Sequence, residues 1–466
     1  MSAMSRLLSV VVVMTATSAC TRPNPAVCCS SAADCAVIGV EDQQRDCALS
    51  LVCADHECSV PPDGPKAECT LDDECASPTP RCAPNLQCVE CIKAADCPVS
   101  EPTCDATSHQ CRACVLDADC TSEICDTQTG VCVPESTIVY ASPSGTSVAS
   151  CSRADRCSIQ RAFAITDATR NVIKLVPGIY SGNLVVSNKT VRVRGAGATI
   201  SSTSGDTLTV NDHGSLTVSG VIIVSAAAAG RAVICSSLNN VDIPVLALDT
   251  VTVESTTTGI KLTKCSATIT QSTIHTTGFS SGLLATNAST ADVTRTSIRG
   301  GAYIVGSVDN SVLRLTNTIV GDPTTPGDDG FFAVSGAVAL SFSTVINARV
   351  QCNGSPSVCS GASTNGVCFD NSVVVNLTPG APTDTVTGLA CSGTYTAVFP
   401  QAAALAGLGN LAVNPKLVNP AMNDLHLQAT SPAIDAANPA ATLGVDFEGK
   451  PRPSGAQRDL GAFEYP

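Results

Sequence analysis

The alternation of apolar and polar positions is clearest near the middle of the chain. Across residues 190–194, Val191 and Val193 fall on one side and Arg192 and Arg194 on the other. A period of two marks a half-buried strand. Residues 159–169 break that rhythm. Ile159, Ala162, Phe163 and Thr166 have helical spacing with no Gly or Pro among them, which predicts a short helix. Residues 137–145 ahead of it predict a strand run that stops at a turn, and residues 172–180 predict another strand.

Beyond residue 200 the pattern repeats. A small polar residue leading into a β-branched one recurs at Ser219-Gly220-Val221, Thr250-Val251, Thr273-Ile274, Ser297-Ile298, Thr318-Ile319, Thr344-Val345 and Ser372-Val373. The β-branched positions lie 30, 23, 24, 21, 26 and 28 residues apart. A second strand precedes the repeated element, at residues 216–218, 267–269 and 312–315. A third lies ahead of that, at 208–210, 260–262 and 303–305. Each period thus holds three short strands. One period cannot cover its own apolar face, but periods stacked about 4.8 Å apart pair every strand with its copies and join the inward Val, Ile and Leu into one column. A leucine-rich repeat would show a leucine signature at tighter spacing. A propeller would show aromatic markers, and the 466 residues include no Trp. The predicted fold is all-β: a parallel β-helix with three short strands per rung.

These residues resemble the right-handed parallel β-helix, or pectin-lyase-like, superfamily. The entry segment carries the likeness in Val139-Tyr140-Ala141-Ser142-Pro143-Ser144-Gly145, Ile159-Gln160-Arg161-Ala162, Leu175-Val176-Pro177-Gly178-Ile179-Tyr180 and Val193-Arg194-Gly195-Ala196-Gly197. The resemblance implies that the short helix caps the open N-terminal end of the solenoid. The other end resembles a β-helix tail of the choice-of-anchor type. It does so through Asn414-Pro415-Lys416-Leu417, Asp424-Leu425-His426-Leu427, Ser431-Pro432-Ala433-Ile434-Asp435, residues 446–453 and residues 459–465.

Charge and cysteine divide the chain near residue 136. Residues 21–136 hold 20 acidic and 6 basic residues, which accounts for the whole net charge of −14. Eighteen of the 27 cysteines lie between Cys28 and Cys132. Their spacing repeats as Cys69, Cys75, Cys82, Cys88; then Cys91, Cys97, Cys104, Cys111; then Cys114, Cys120, Cys125, Cys132. A degenerate earlier unit starts at Cys29 and Cys35 and ends at Cys53 and Cys58, with Cys28 and Cys47 extra. An acid precedes the second cysteine of each unit: Asp34, Glu74, Asp96 and Asp119. Units of about 20 residues bury too little apolar surface to fold alone, so disulfides must hold them. Cys151 with Cys157, Cys235 with Cys265, and the set Cys352, Cys359, Cys368 and Cys391 extend the disulfide expectation into the β-helix. The pairing within each four-cysteine set stays open among three patterns. No His stands at zinc-ligand spacing beside the junctions Cys88-x2-Cys91 and Cys111-x2-Cys114. The modules resemble small cysteine-rich repeats of exported myxobacterial proteins, which implies a spacer or interaction stalk.

Residues 1–19 read as a secretory signal, with Arg6 ahead of the apolar run 7–14. Thr17-Ser18-Ala19-Cys20 resembles a bacterial lipobox, with Thr17 departing from the usual aliphatic residue, and implies lipidation of Cys20. The expected segments are therefore a signal (1–19), a mature N-terminal linker (20–27), disulfide repeats (28–134), the capped β-helix (137–400) and its C-terminal tail or cap (401–466).

Candidate chemistry is sparse. A lyase on an acidic glycan needs a base and charge neutralisation of a uronate. Lys261, Lys264, Arg295, Arg299 and Arg314 fall in consecutive rungs and would form a basic stripe if they shared one outer face, with Asp309, Asp328 and Asp329 adjacent. A hydrolase needs converging carboxylates. Asp212-His213-Gly214 and Asp328-Asp329 have the wrong order for the polygalacturonase pattern, and Asp212-His213 is read as a turn. His275 and His426 are isolated. Asp435, Asp446, Glu448 and Asp459 could hold Ca²⁺, but their spacing fits no calcium loop, so no metal or cofactor is assigned. The acidic balance argues against nucleic acid. The expected protein is an exported monomer, held at the bacterial outer membrane or cell surface by a lipid anchor alone. It acts as a non-catalytic scaffold for a glycan or protein partner. The alternative is a polysaccharide lyase or hydrolase acting along the β-helix face.

Overall fold

The computed structural model describes residues 52–54, 57–59, 69–237, 242–278, 280–301, 303–322, 329–334, 336–353, 366–378, 384–387 and 391–466. At 52–54, 57–59, 329, 330, 332–334, 351 and 353 it describes the backbone alone. The signal, the linker, Cys20, Asp328 and Cys359 lie outside the described residues. The chain divides into two compact units, Met1–Val133 and Pro134–Pro466.

In the first unit each of the three modules crosses its bridges in the same way. The first cysteine pairs with the third and the second with the fourth: Cys69–Cys82 and Cys75–Cys88, Cys91–Cys104 and Cys97–Cys111, Cys114–Cys125 and Cys120–Cys132. The third and fourth cysteines face each other on a two-residue antiparallel ribbon. The repeated acid closes a 3-10 turn. Asp119 accepts the backbone N–H groups of Val115 at 2.9 Å and Leu116 at 3.0 Å, and Asp96 those of Ile92 and Lys93 at 3.0 Å. Glu74 does the same for Thr70 and Leu71. These N–H groups hold the Glu74 and Asp119 carboxyls below their usual range; at Asp96 burial opposes, and the N–H groups together with the Arg81 and Lys93 charges bring the carboxyl down. Ion pairs join neighbouring modules. Arg81 meets Asp96 at 2.8 Å without the alignment of a hydrogen bond, and Arg112 meets Asp119 at 3.3 Å.

The second unit is a parallel β-helix whose strands stack in three columns. On the first, Ile173, Val193, Val218, Leu248, Ile269, Val293, Leu315, Leu340 and Phe369 are successive register partners. On the second, the inward row runs Ile200, Ile223, Val253, Ile274, Ile298, Val320, Val345, Val374, Val398. The third column is a nine-stranded sheet with Leu184, Leu208, Val233, Ile260, Leu283, Val305, Phe331, Val350 and Val386 turned inward. All of these side chains are buried, and burying each stabilises by roughly 1.5–3 kcal/mol. Cys151–Cys157, Cys235–Cys265 and Cys352–Cys391 are bridged, and Cys368 is disulfide-bonded too.

Of the repeated polar residues, Thr273, Ser297 and Thr344 open second-column strands, whereas Thr250, Thr318 and Ser372 fall at the corner between the first and second columns. Thr250, Gln271, Arg295, Asn317, Phe342, Asn371 and Tyr395 all take a left-handed conformation there, with φ between 47° and 53°. From the second of these onward a buried hydroxyl follows: Ser272, Thr296, Thr318, Ser343, Ser372 and Thr396. These hydroxyls form a ladder along the coil axis. Ser272 Oγ accepts the Val251 N–H at 3.1 Å, Ser343 Oγ that of Thr318 at 3.1 Å, and Ser372 Oγ that of Ser343 at 3.2 Å. Corner amides that would be buried without a partner are thereby satisfied.

At the N-terminal end the structure departs from two expectations. The strand Ile138–Thr146 runs on through Pro143 and Gly145 instead of turning. A Cβ at Gly145 would lie 2.1 Å from the carbonyl oxygen of Cys157, so only glycine admits this path. The helix is Ile159–Ile165, capped by Ser158. It stops short of residue 169 because Asp167 Oδ1 accepts the N–H groups of Thr169 and Arg170, each at 2.8 Å, and makes a turn instead.

At the C-terminal end, Leu405 packs on the main core and Asn410 bonds Gly393 O and Thr396 N, which closes the last coil. Later residues lie along the outside of the second column. Leu417, Leu425, Leu427, Leu460 and Phe463 cluster with Ile319, Phe342, Ile346, Val373 and Val375.

Candidate functional site: a charged groove beside the tail

The outer surface of the second column bears Glu254, His275 and Arg299 as consecutive register partners. The tail covers the coils beyond them. Its hairpin, Leu417–Asn419 with Asp424–Leu427, turns through Asn423 in the left-handed region at φ 61°. Along Asp424–Leu427 the period of two buries Leu425 and Leu427 and sends Asp424 and His426 to the other side.

A groove of about 420 Å³ separates the two surfaces. Thr273, Ser297 and Arg299 line one wall; Asp424, His426 and Glu448 line the other, with Phe447 and Phe463 at its apolar base. His426 Nδ1 lies 2.7 Å from Asp424 Oδ1, and the imidazole packs on Phe463 with ring centroids 4.3 Å apart. Its buried Nε2 is 3.3 Å from Glu448 Oε2, close enough for charge attraction but not aligned as a hydrogen bond. Glu448 also meets Lys450 at 2.6 Å, and Arg299 Nε donates to Ser297 Oγ at 2.9 Å. The bond to His426 lowers the Asp424 pKa, and the bond to Lys450 lowers that of Glu448. Both carboxylates are therefore anionic in neutral solution. The groove can hold a polar ligand between a guanidinium, hydroxyls and two carboxylates. Neither carboxylate has the raised pKa that a general acid requires.

Of the five cations proposed as a stripe, only Arg299 enters this groove. Lys261 is on the third column between Ile234 and Leu284. Lys264 occupies a left-handed corner. Arg295 sits at a corner of the first and second columns, where its Nε donates to Phe447 O at 2.9 Å and fastens the tail. Arg314 is exposed on the first column and pairs with Asp292 at 3.3 Å. The stripe does not form, because these residues occupy different positions around their coils: even Lys261 and Lys264, or Arg295 and Arg299, which share a coil, stand at different places on it. Asp329 opens the strand Asp329–Val334, opposite Tyr303 and Arg349.

The tail acids turn inward onto the backbone. Asp446 accepts N–H groups from Glu448 and Lys450, Asp435 from Gln457, and Asp459 from Asp435 and Tyr465. Burial pushes the Asp459 carboxyl up to about 6. Arg452, fully buried, bonds Glu464 at 2.8 Å and lies 4.9 Å over the Phe342 ring. Asp212-His213 forms a turn, with His213 paired to Asp242 at 2.8 Å. Three sulfurs approach within 4.8 Å in each cysteine module, but they belong to disulfides and offer no thiolate to a metal.

The grouping of Asp424, His426 and Glu448 was not foreseen. The i, i+2 spacing of Asp424 and His426 on a strand was the one available signal.

No known family pattern matches the chain, and no curated protein is similar to it. Among solved structures it is similar to the pectate lyase Pel9A, with 16% identity over 71% of this chain and 96% of that one, at a TM-score of 0.45. Nothing about activity follows from that likeness. The fold is a parallel β-helix, and a disulfide-rich segment precedes it in the chain. So many disulfides suit an extracellular or secreted protein.

Proposed function

We propose that this chain is an exported surface protein of a bacterium, anchored through a lipid on Cys20, whose β-helix binds a glycan or protein without turning it over. The dispersal of Lys261, Lys264, Arg295, Arg299 and Arg314 over separate faces carries this reading. Among the described residues, these five cations form no continuous stripe along one face that could neutralise successive uronates of a chain. The lowered pKa values of Asp424 and Glu448 add support, since both lack the proton a glycosidase donates. The test is incubation with a panel of uronate polymers, with and without Ca²⁺, while following the ultraviolet absorbance of unsaturated products and the release of reducing ends. The expected result is binding with no turnover. Separately, Cys20→Ser should release the protein from the membrane fraction.

A second reading, a lyase or hydrolase on an acidic glycan, is favoured by one observation: Arg299, His426 and two carboxylates share a groove. Turnover lost in both Arg299→Ala and His426→Ala would replace the first reading with this one.

A further inference from the structure

The first coils of the β-helix carry an excess of positive charge. Residues 137–200 contain eight Lys and Arg but two acidic residues. Arg192 and Arg194 alternate with buried Val191 and Val193, so both project from the outer surface of the first column. Arg194 is the register partner of Lys174 in the preceding coil. Neighbouring strands lie about 4.8 Å apart, and like charges directly opposite one another destabilise a sheet. Further along the same column the chain does the reverse and sets Arg314 opposite Asp292. Among the described residues, the side chains of Arg192 and Arg194 have no ion-pair or hydrogen-bond partner.

The strand bearing these arginines begins at the rim of a groove of about 930 Å³. Asn171, Ser187, Asn188, Lys189, Thr190 and His213 line it, together with the end of the capping helix. Arg192 adjoins this groove directly, because its backbone N–H donates to Asn171 O at 2.8 Å. Two charged liners are already engaged: Lys189 Nζ donates to Phe163 O, and Asp167 accepts from Thr169 and Arg170. What the groove offers a ligand is amides and hydroxyls, with a guanidinium pair at one end.

We propose that this groove and the Arg192–Arg194 pair form a binding site for a strand of anionic polysaccharide, separate from the groove beside the tail. Sugar hydroxyls would bond to Asn171, Ser187, Asn188 and Thr190, and the acidic groups would sit on the two guanidiniums, whose planar forks suit oxyanions. A flat lipid surface could reach the arginines but not the groove. The proposal rests on the reading of the β-helix as a glycan-binding scaffold and names the ligand class and the place.

The test uses the full-length oxidised protein and four probes: heparin, polygalacturonate, neutral dextran, and phosphatidylglycerol vesicles. At least one acidic polymer should bind, more weakly as salt rises, while dextran and vesicles should not. Arg192→Gln/Arg194→Gln should weaken that binding about tenfold or more, the loss of roughly 1.4 kcal/mol. Asn188→Ala should weaken it without changing the salt dependence, and Lys416→Gln, which removes one positive charge from the tail, should leave it unaltered. Equal binding by wild type and the double variant would overturn the proposal, as would a preference for vesicles or no binding to either acidic polymer. If Arg299→Ala abolishes binding and the arginine pair does not, this site falls while the scaffold reading stands.

Discussion

The cysteine modules and the β-helix hold a chain in place by different means. In residues 69–133 the buried apolar side chains are cysteines, Ala83 and Ile124. In residues 134–466, branched aliphatics are buried coil after coil in register. The modules even leave apolar residues outside: Leu71, Val115 and Leu116 are each more than half exposed. Covalent cross-links restrict the unfolded chain, whereas stacking rewards the folded one. A repeat too short to enclose a core must take the first route. A repeat long enough to go once round an axis can take the second.

Reduction is the strongest way to pull the two apart. Each module bridge contributes on the order of 2–4 kcal/mol, so dithiothreitol should abolish amide protection across residues 69–132. The interior of residues 172–400 should keep most of its protection by hydrogen-exchange mass spectrometry. Equal loss in both units would break the contrast. Next in size, Ile269→Ala opens a cavity mid-stack and should cost about 2–5 kcal/mol in denaturant unfolding, while Leu71→Ala should stay within about 0.5 kcal/mol. Ser343→Ala removes the acceptor for the Thr318 N–H and should cost about 1–3 kcal/mol; a negligible effect would show that the hydroxyl ladder is ornamental. Asp119→Ala strips the turn that opens the third module and should cost about 0.5–2 kcal/mol, read as faster proteolysis there.

Acidity offers the smallest effect, and its sign differs between the units. Glu74, Asp96 and Asp119 have lowered pKa values. Their contribution is present above the unfolded carboxylate range and is lost as pH falls through the folded values, so the modules should loosen only in strong acid. Asp459 is raised to about 6. Its contribution is complete below about 4 and is lost as pH rises through about 6. The tail should therefore be better protected at pH 5 than at pH 7, and Asp459→Asn should remove the difference.

The coils were legible because their signal is local: period-two alternation, then the same polar-to-β-branched step every 21 to 30 residues. The corner hydroxyls were visible only in part: the repeat included Thr318 and Ser372 but elsewhere named Thr273, Ser297 and Thr344, one residue past the hydroxyls Ser272, Thr296 and Ser343 that line the corner. The capping role of Glu74, Asp96 and Asp119 was hidden because an acid on a small module looks like any solvated charge. The faces of Lys261, Arg295 and Arg314 were hidden because belonging to consecutive rungs does not fix a residue's place around its coil, and their separations match no whole coil. The tail groove was hidden most deeply. Its walls come from residues more than a hundred positions apart, as in the bond from Arg295 to Phe447, and no local pattern encodes such a meeting.

The tail is fastened to one coil after another: Arg295 to Phe447, Asn317 to Val445, Thr344 to Ala462, Asn371 to Gly461. That fixes how the molecule can lengthen over generations. Duplicating a turn anywhere between Arg295 and Asn371 would slide every later clasp by one rung and strand the tail. A turn added before Thr250 would disturb none of them, so growth in this lineage is expected at the front of the spiral, with the rear held to a constant copy number.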